Sequence, residues 1–216
     1  IKIMWFGAYR LIVAASEGRL QDVQLLLEQE GVTVDANAQD QYGWTAFVHR
    51  GRTALQAASE KGQVDVVKLL LEHDANVNLQ DKNGWTALHL ASNHGHADVV
   101  QLLLENGSDV NVNATQKDGW TALFIASFIG RADIVQLLLK NGANVHLKDT
   151  KDTNGFTALH YASSKRHAAV VRLLLEHNAD VNGTSVTGLT ALHWASAEGH
   201  ADIVKFLLKN GANVNL

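Results

Sequence analysis

Apolar residues recur along this chain in blocks of similar length, and polar stretches rich in Asn, Asp and Gly separate them. Five times, a Thr-Ala-Leu or closely related phrase opens a short apolar stretch that contains Ala-Ser, and a second, more strongly apolar run follows. The alanines of the Ala-Ser pairs lie 33 to 36 residues apart, at Ala58, Ala91, Ala126, Ala162 and Ala195. A fixed period of this length predicts a repeat protein.

Each repeat predicts two short helices joined by a turn. Thr53 is a good N-cap residue, because its hydroxyl can accept a hydrogen bond from a free backbone N–H. Leu55 and Ala58 share one helix face, and Gly62 permits the left-handed backbone that ends a helix. The second helix carries the apolar run that starts at Val66. Helices this short are marginal alone, so neighbouring repeats must bury one another's apolar faces.

The segment DKNGWTALHLASNHGHADVVQLLLENGSDVN, residues 81–111, resembles the ankyrin repeat, with Ala87 where that family usually has Pro. The resemblance covers about residues 10–216. It implies an all-α ankyrin-repeat α-solenoid of helix-turn-helix units with β-hairpin-like fingers. It further implies a concave face built from fingers and first helices, a role in protein–protein recognition, and no catalysis.

We expect one ankyrin repeat domain over residues 1–216, with six units. The first is a divergent N-terminal cap, and the last ends at Leu216 without a polar outer face, which indicates either a longer array or packing through this edge. The expected units are 1–50, 51–83, 84–118, 119–154, 155–187 and 188–216.

Three residues depart from the repeat where a left-handed backbone is expected. Arg166 stands where the other full repeats have Gly, and Asp74 and Asn178 replace the Gly after the second helix. Asp and Asn tolerate that conformation better than Arg does. We therefore expect the repeat that contains Arg166 to be the weakest by sequence.

Composition excludes several kinds of site. The 216 residues carry a net charge of −4, their Lys and Arg are scattered, and no basic run indicates a nucleic-acid partner. Cys is absent, which excludes disulfides and thiolate metal sites, and no apolar run is long enough for a membrane helix. Pro is also absent, which favours an engineered ankyrin scaffold as an alternative to a natural interaction protein.

No residue combination indicates catalysis, a metal or a cofactor, and the histidines follow the repeat. The resemblance implies that the His of TALH bonds to backbone and Thr groups, and we interpret the His before each second helix as structural too. Acidic residues in the fingers, such as Asp149, are expected to be solvated. These two histidine sets are His89, His160 and His193, and His96, His167 and His200.

The expected function is binding of another protein through the concave face, by a monomeric chain in the cytoplasm or nucleus, not secreted. The resemblance places residues just before the helix-ending Gly on that face. Most are polar or small, but Phe128 and Ile129 are adjacent apolar residues, which mark interaction surfaces when exposed. A further alternative is a small-molecule or peptide binder with an aromatic pocket between fingers. The candidate partner-binding residues are Trp44, Phe47, Trp85, His94, Trp120, Phe124, Phe128, Ile129, Phe156 and Lys165.

The phrase GWTAF at residue 43 is followed eight residues later by GRTAL at residue 51. Only the second continues into the Ala-Ser stretch, so we predict that the helix starts after Thr53 and that Trp44 and Phe47 lie in a long first finger over residues 35–51. Loops of this length in compact folds are usually functional or disordered. We expect an ordered finger that forms one wall of the binding surface.

Overall fold

The computed structural model describes residues 2–28, 34–39, 51–106, 109–150 and 154–216, with only the backbone described for 2–6. The first finger's Trp44 and Phe47, and most of that finger, lie outside these ranges. The described chain divides into two compact units, Ile1–Gln116 and Lys117–Leu216. Each is built from three helix pairs, so the expected six all-α ankyrin-type units are confirmed, whereas their union into one domain stays a prediction.

The first unit contains helices α1 to α6, in three consecutive pairs. Its first helices pack on one another in the order α1, α3, α5, and the second helices pack in the order α2, α4, α6. The helix bounds are α1 Lys2–Ser16, α2 Leu20–Glu28, α3 Ala54–Lys61, α4 Val64–Glu72, α5 Ala87–His94 and α6 Ala97–Glu105.

The second unit contains helices α7 to α12, in the same arrangement. Here α9 packs on both α7 and α11, and α10 packs on both α8 and α12. The helix bounds are α7 Ala122–Ile129, α8 Ala132–Lys140, α9 Ala158–Ser164, α10 Ala168–Glu176, α11 Ala191–Ala197 and α12 Ala201–Lys209.

Helix ends follow the sequence signals. Thr53 caps α3 with a full capping box, in which Gln56 bonds back to the Thr53 N–H. Gly62 ends α3 at φ 70°, and the predicted left-handed backbone is confirmed at Arg166, with φ 60°. The helix therefore starts at GRTAL, as the repeat register predicted. By contrast, α1 begins at Lys2, well before the part of the chain that carries the repeat pattern.

The fingers are turns closed in the same way in different repeats. Asp81 donates its N–H to the Trp85 carbonyl at 2.9 Å, and its carboxylate accepts from the Trp85 N–H at 3.0 Å. Ser185 and Leu189 repeat both contacts, at 2.8 and 3.1 Å. A side-chain oxygen thus accepts the second of the two hydrogen bonds that close a hairpin. The fingers are therefore hairpin-like, although none of the described residues is in a β-strand.

Neighbouring repeats are joined by bonds from side chains to backbone. Asn78 donates from Nδ2 to the Asp109 carbonyl at 2.8 Å and accepts from the Asn111 N–H at 2.8 Å. In the second unit Asn182 makes the equivalent contacts with Gly211 and Asn213. Each of these asparagines therefore satisfies two backbone groups of the following repeat.

The two histidine sets have the structural roles expected of them where their bonds are described. The Nδ1 atom of His160 lies 3.1 Å from the Thr157 nitrogen, and its Nε2 lies 3.0 Å from the Leu189 carbonyl oxygen of the next repeat. His96 Nε2 lies 3.0 Å from the Glu60 carbonyl oxygen of the preceding repeat. Burial lowers the pKa of His160, the largest effect on this group, below its ordinary value of 6.5.

Candidate functional site

The second unit gathers aromatic side chains from successive repeats around Tyr161. The Tyr161 ring centroid lies 4.9 Å from that of Trp120, 5.8 Å from Phe128 and 5.9 Å from Phe156. Tilted and edge-on contacts at these distances are favourable between aromatic rings. We call Trp120, Phe124, Phe128, Phe156, Tyr161 and Trp194 the aromatic cluster.

The repeat period explains why these rings meet. Trp120 and Phe156 both follow a finger glycine, and Phe128 lies in the last turn of α7. Tyr161 lies on α9, which packs on α7, so its ring reaches the rings of the preceding repeat as well as its own. One bulky residue at each of a few repeat positions is thus enough to form a continuous cluster.

The Asp149 carboxylate holds the Tyr161 ring through its hydroxyl group. Its side chain is buried, it accepts the Phe156 N–H at 2.9 Å, and the Tyr161 hydroxyl donates to its other oxygen. The expectation of a solvated Asp149 is therefore wrong, because closing the finger turns this carboxylate inward. The bond fixes the Tyr161 ring, and with it the centre of the aromatic cluster.

Phe124 is fully buried, with 0% of its surface exposed. The expectation that it contacts a partner does not fit this position, since no part of its ring reaches the surface. It occupies the place of the TALH histidine, and its ring centroid lies 6.2 Å from that of Tyr161. Phe124 therefore supports the aromatic cluster from the interior.

Ile129 and Lys165 are exposed residues at the ends of α7 and α9. Ile129 is 38% exposed at the end of α7, directly after the half-buried Phe128. Lys165 is exposed, and its Nζ lies 5.0 Å from the centroid of the Phe128 ring, within the range of a cation–π contact. We call Phe128, Ile129 and Lys165 the docking surface.

The backbone of the docking surface is held by the next repeat. The His167 Nε2 atom lies 3.0 Å from the Phe128 carbonyl oxygen. Gly130, at φ 88°, ends α7, and a Cβ added there would lie 2.5 Å from His167 Nδ1. A side chain at this position would therefore have to displace the His167 ring, and the glycine lets that ring approach the end of α7 closely.

In the first unit, the predicted residues Trp85 and His94 do not form a comparable aromatic group. Trp85 is half-buried and meets His89 of its own repeat edge-on, at 6.0 Å. His94 is exposed, stacks on His96 and lies 3.9 Å from a Glu60 oxygen. The described residues therefore group Trp120, Phe128, Ile129, Phe156 and Lys165 around one site.

Tyr161, Trp194 and Asp149 were missed as members of this site. A signal for the two aromatic residues exists in the repeat alignment, because Tyr161 and Trp194 replace the aliphatic Leu90 and Ile125 of other repeats. For Asp149 the sequence signal is weaker, because Asp81 occupies the equivalent finger position and the residue type therefore does not set this repeat apart. Both carboxylates are buried. Within the described part of the chain, no three potential metal ligands come together, and no helix is long and apolar enough to span a bilayer.

Segments of this chain are similar to segments of larger proteins. It is 41% identical over 80 residues to ankyrin repeat and SAM domain-containing protein 6 of Rattus norvegicus, over 37% of the chain and 8% of that protein. It is 41% identical over 75 residues to 2-5A-dependent ribonuclease of Mus musculus, over 34% and 9% respectively. For E3 ubiquitin-protein ligase mind-bomb of Drosophila melanogaster, the identity is 49% over 37 residues, covering 17% and 3%.

The matched segments thus span less than a tenth of each of these relatives. A family model described as ankyrin repeats, in three copies, matches residues 11–114, 77–149 and 146–216. These matches cover the repeats of both units and agree with their helix pairs. Ankyrin repeats are in general protein–protein interaction modules and typically non-enzymatic. This chain belongs to the ankyrin repeat family.

Proposed function

We propose that this chain is a non-enzymatic scaffold that binds a partner protein through the docking surface. The observation that carries the proposal is the pair of adjacent apolar residues at the end of α7, where Ile129 is 38% exposed and Phe128 is half-buried. Contiguous apolar surface marks interaction sites, and here the exposed Ile129 directly follows the partly exposed ring of Phe128.

The contacts that hold Phe128 and the end of α7 in place support the proposal. Rings in contact at 4.9 to 5.8 Å, a buried carboxylate bond and a fixed helix end leave little freedom to lose when a partner binds. Binding then costs less ordering entropy, and aromatic anchors on a rigid base often dominate interface energetics.

The alternative of a small-molecule pocket between fingers receives less support. Trp120 and Phe156 are the finger residues on which that alternative relies, and both pack their rings against Tyr161. The space between them is thus occupied by a side chain of the protein itself. A surface that a protein covers fits this geometry better than a cavity that a small molecule enters.

The test compares captured proteins on immobilised wild type and on Phe128→Ala/Ile129→Ala, with quantitative mass spectrometry of what remains bound. Leu208→Ala is the matched control, because Leu208 is 41% exposed on α12, at the far end of the unit. We expect a specific protein on wild type and on the control, with affinity for the double variant reduced by about 2 kcal/mol or more.

Phe128 is half-buried, so its loss also affects packing. Ile129→Lys therefore serves as a second variant, because it leaves every ring in place and circular dichroism can verify its fold. A captured protein that binds both variants with the same affinity as wild type would contradict the proposal that it binds the docking surface. Recovery of a small molecule in place of any protein, by native mass spectrometry, would favour the pocket alternative.

A further inference from the structure

The docking surface contains a positive charge with no negative partner in its own chain. Among the residues that the structure describes, no carboxylate lies within ion-pair distance of Lys165. Its neighbour Arg166 differs, since it pairs with Asp202 at 3.2 Å. Lys165 thus presents an uncompensated ammonium group over the Phe128 ring, and the exposed Ile129 is the next residue after Phe128.

The position of this ammonium group is defined by Phe128. Its Nζ stands 5.0 Å from the Phe128 ring centroid, and that ring is held by Trp120 at 5.5 Å and Tyr161 at 5.8 Å. The face of an aromatic ring attracts a cation, so the charge is directed over the rigid cluster. The half-buried Phe128 ring therefore offers an apolar contact directly beneath this cation.

We propose that the docking surface recognises a protein segment that presents an apolar side chain next to a carboxylate. The apolar side chain covers Ile129 and the edge of Phe128, and the carboxylate pairs with Lys165. This inference rests on the proposed function and adds the chemical class of the partner. Complementary charge beside an apolar anchor adds selectivity, because it excludes segments that carry a cation at the same place.

The same repeat positions in the first unit have the opposite character. Glu60 and Lys61 stand where Phe128 and Ile129 stand, and the Glu60 carboxylate is already paired with Arg52. An apolar side chain at this place would meet the paired Glu60 carboxylate instead of an aromatic ring. The selectivity is therefore a property of α7 and α9 and not of the repeat in general.

The probe is a displayed library of short random peptides, selected separately on the full chain and on its variants. The variants are Lys165→Glu, Ile129→Lys and, as matched control, Lys205→Glu, which makes the same charge change at an exposed site on α12. We expect peptides selected on wild type and on the control to be enriched in Asp or Glu adjacent to an aliphatic or aromatic residue.

On Lys165→Glu, the acidic preference should disappear or turn into a preference for Lys and Arg. A synthetic peptide from the wild-type selection should then bind Lys165→Glu at least about tenfold more weakly, and Ile129→Lys more weakly still. Anisotropy titrations measure these affinities, and thermal melts followed by circular dichroism verify each fold.

The selections would overturn the proposal if wild type showed no enrichment, if the enriched peptides lacked acidic residues, or if Lys165→Glu kept the same acidic preference. Tighter binding of a single-stranded oligonucleotide than of the selected peptide would do so too, because it would assign the cation to a phosphate. A captured partner that requires Ile129 but tolerates Lys165→Glu separates the two hypotheses, since the proposed function would stand and this inference would not.

Discussion

The guanidinium of Arg52 pairs with the carboxylate of Glu60, eight residues further along the chain and at the opposite end of α3. In the repeat of α7 the same two positions hold Trp120 and Phe128, whose ring centroids lie 5.5 Å apart. The fold thus places these positions in contact, and the sequence decides whether charges or rings fill them.

Replacing Arg52 should destabilise the first unit more than most substitutions do. Arg52 is buried, and it also lies 3.5 Å from the buried Asp81 carboxylate. Arg52→Met leaves two carboxylates without their cation, at an expected cost of about 3 kcal/mol. Urea unfolding followed by tryptophan fluorescence measures this loss.

A combined variant provides the control for this prediction. Arg52→Met with Glu60→Gln and Asp81→Asn leaves no uncompensated charge, and the new amide of residue 81 retains the oxygen that accepts the Trp85 N–H. We expect part of the lost stability to return. Equal destabilisation of the single and combined variants would show that packing, not charge, is responsible.

The pH dependence of stability should change when His160 is replaced. Because the pKa of His160 is lowered in the folded chain, the unfolded chain binds a proton at this residue more readily. The stability that neutral His160 provides is therefore complete above pH 6.5 and is lost as the pH falls below 6.5. His160→Gln should remove this contribution and keep the bonds, because Gln56 makes the equivalent contacts in α3 at 2.7 and 2.9 Å.

The measurement is the denaturation midpoint of wild type and His160→Gln across this range of pH. We expect wild type to lose stability relative to the variant on acidification below pH 6.5. Parallel pH profiles would contradict the assigned neutral, buried imidazole. Because the other histidines are present in both proteins, the difference between the profiles isolates residue 160.

Arg166→Gly should stabilise the second unit slightly. The substitution removes a left-handed non-glycine residue, a gain of about 1 kcal/mol, and loses the ion pair with Asp202, which is weak because both groups are exposed to solvent. Asp202→Asn removes the ion pair together with the carboxylate charge in the first turn of α12, so its effect is an upper limit for the ion pair. A midpoint for Arg166→Gly below that of Asp202→Asn would be inconsistent with relief of backbone strain.

Two equivalent histidines separate stability from binding. His167 Nε2 lies 3.0 Å from the Phe128 carbonyl oxygen, and His96 Nε2 lies 3.0 Å from the Glu60 carbonyl oxygen in the first unit. Alanine at either position should cost about 1 kcal/mol of stability, since a partly buried carbonyl loses its hydrogen-bond donor. Only His167→Ala should also weaken a partner of the docking surface, which titration of that partner would detect. Equal loss of affinity in both variants would contradict a local effect.

Most of the fold could be predicted from the repeat register. The start of α3 after Thr53 and the left-handed backbone of Arg166 both depend on local residue chemistry. The exposed Ile129 could likewise be found by comparing equivalent positions. The burial of Phe124 and Asp149 could not, because it depends on which side chains the adjoining repeat brings against them. Periodicity identifies equivalent positions but not the volume available at each.

The asparagine bonds between repeats have a consequence for how such a chain can change over generations. Asn78 and Asn182 bind only main-chain groups of the following repeat, a carbonyl and an N–H, which every residue type except proline provides. This contact does not depend on the neighbour's side chains, so recombination within a gene could duplicate, remove or exchange whole repeats without the loss of these joints. Binding specificity could then evolve by the shuffling of complete modules, while the connections between them stayed the same.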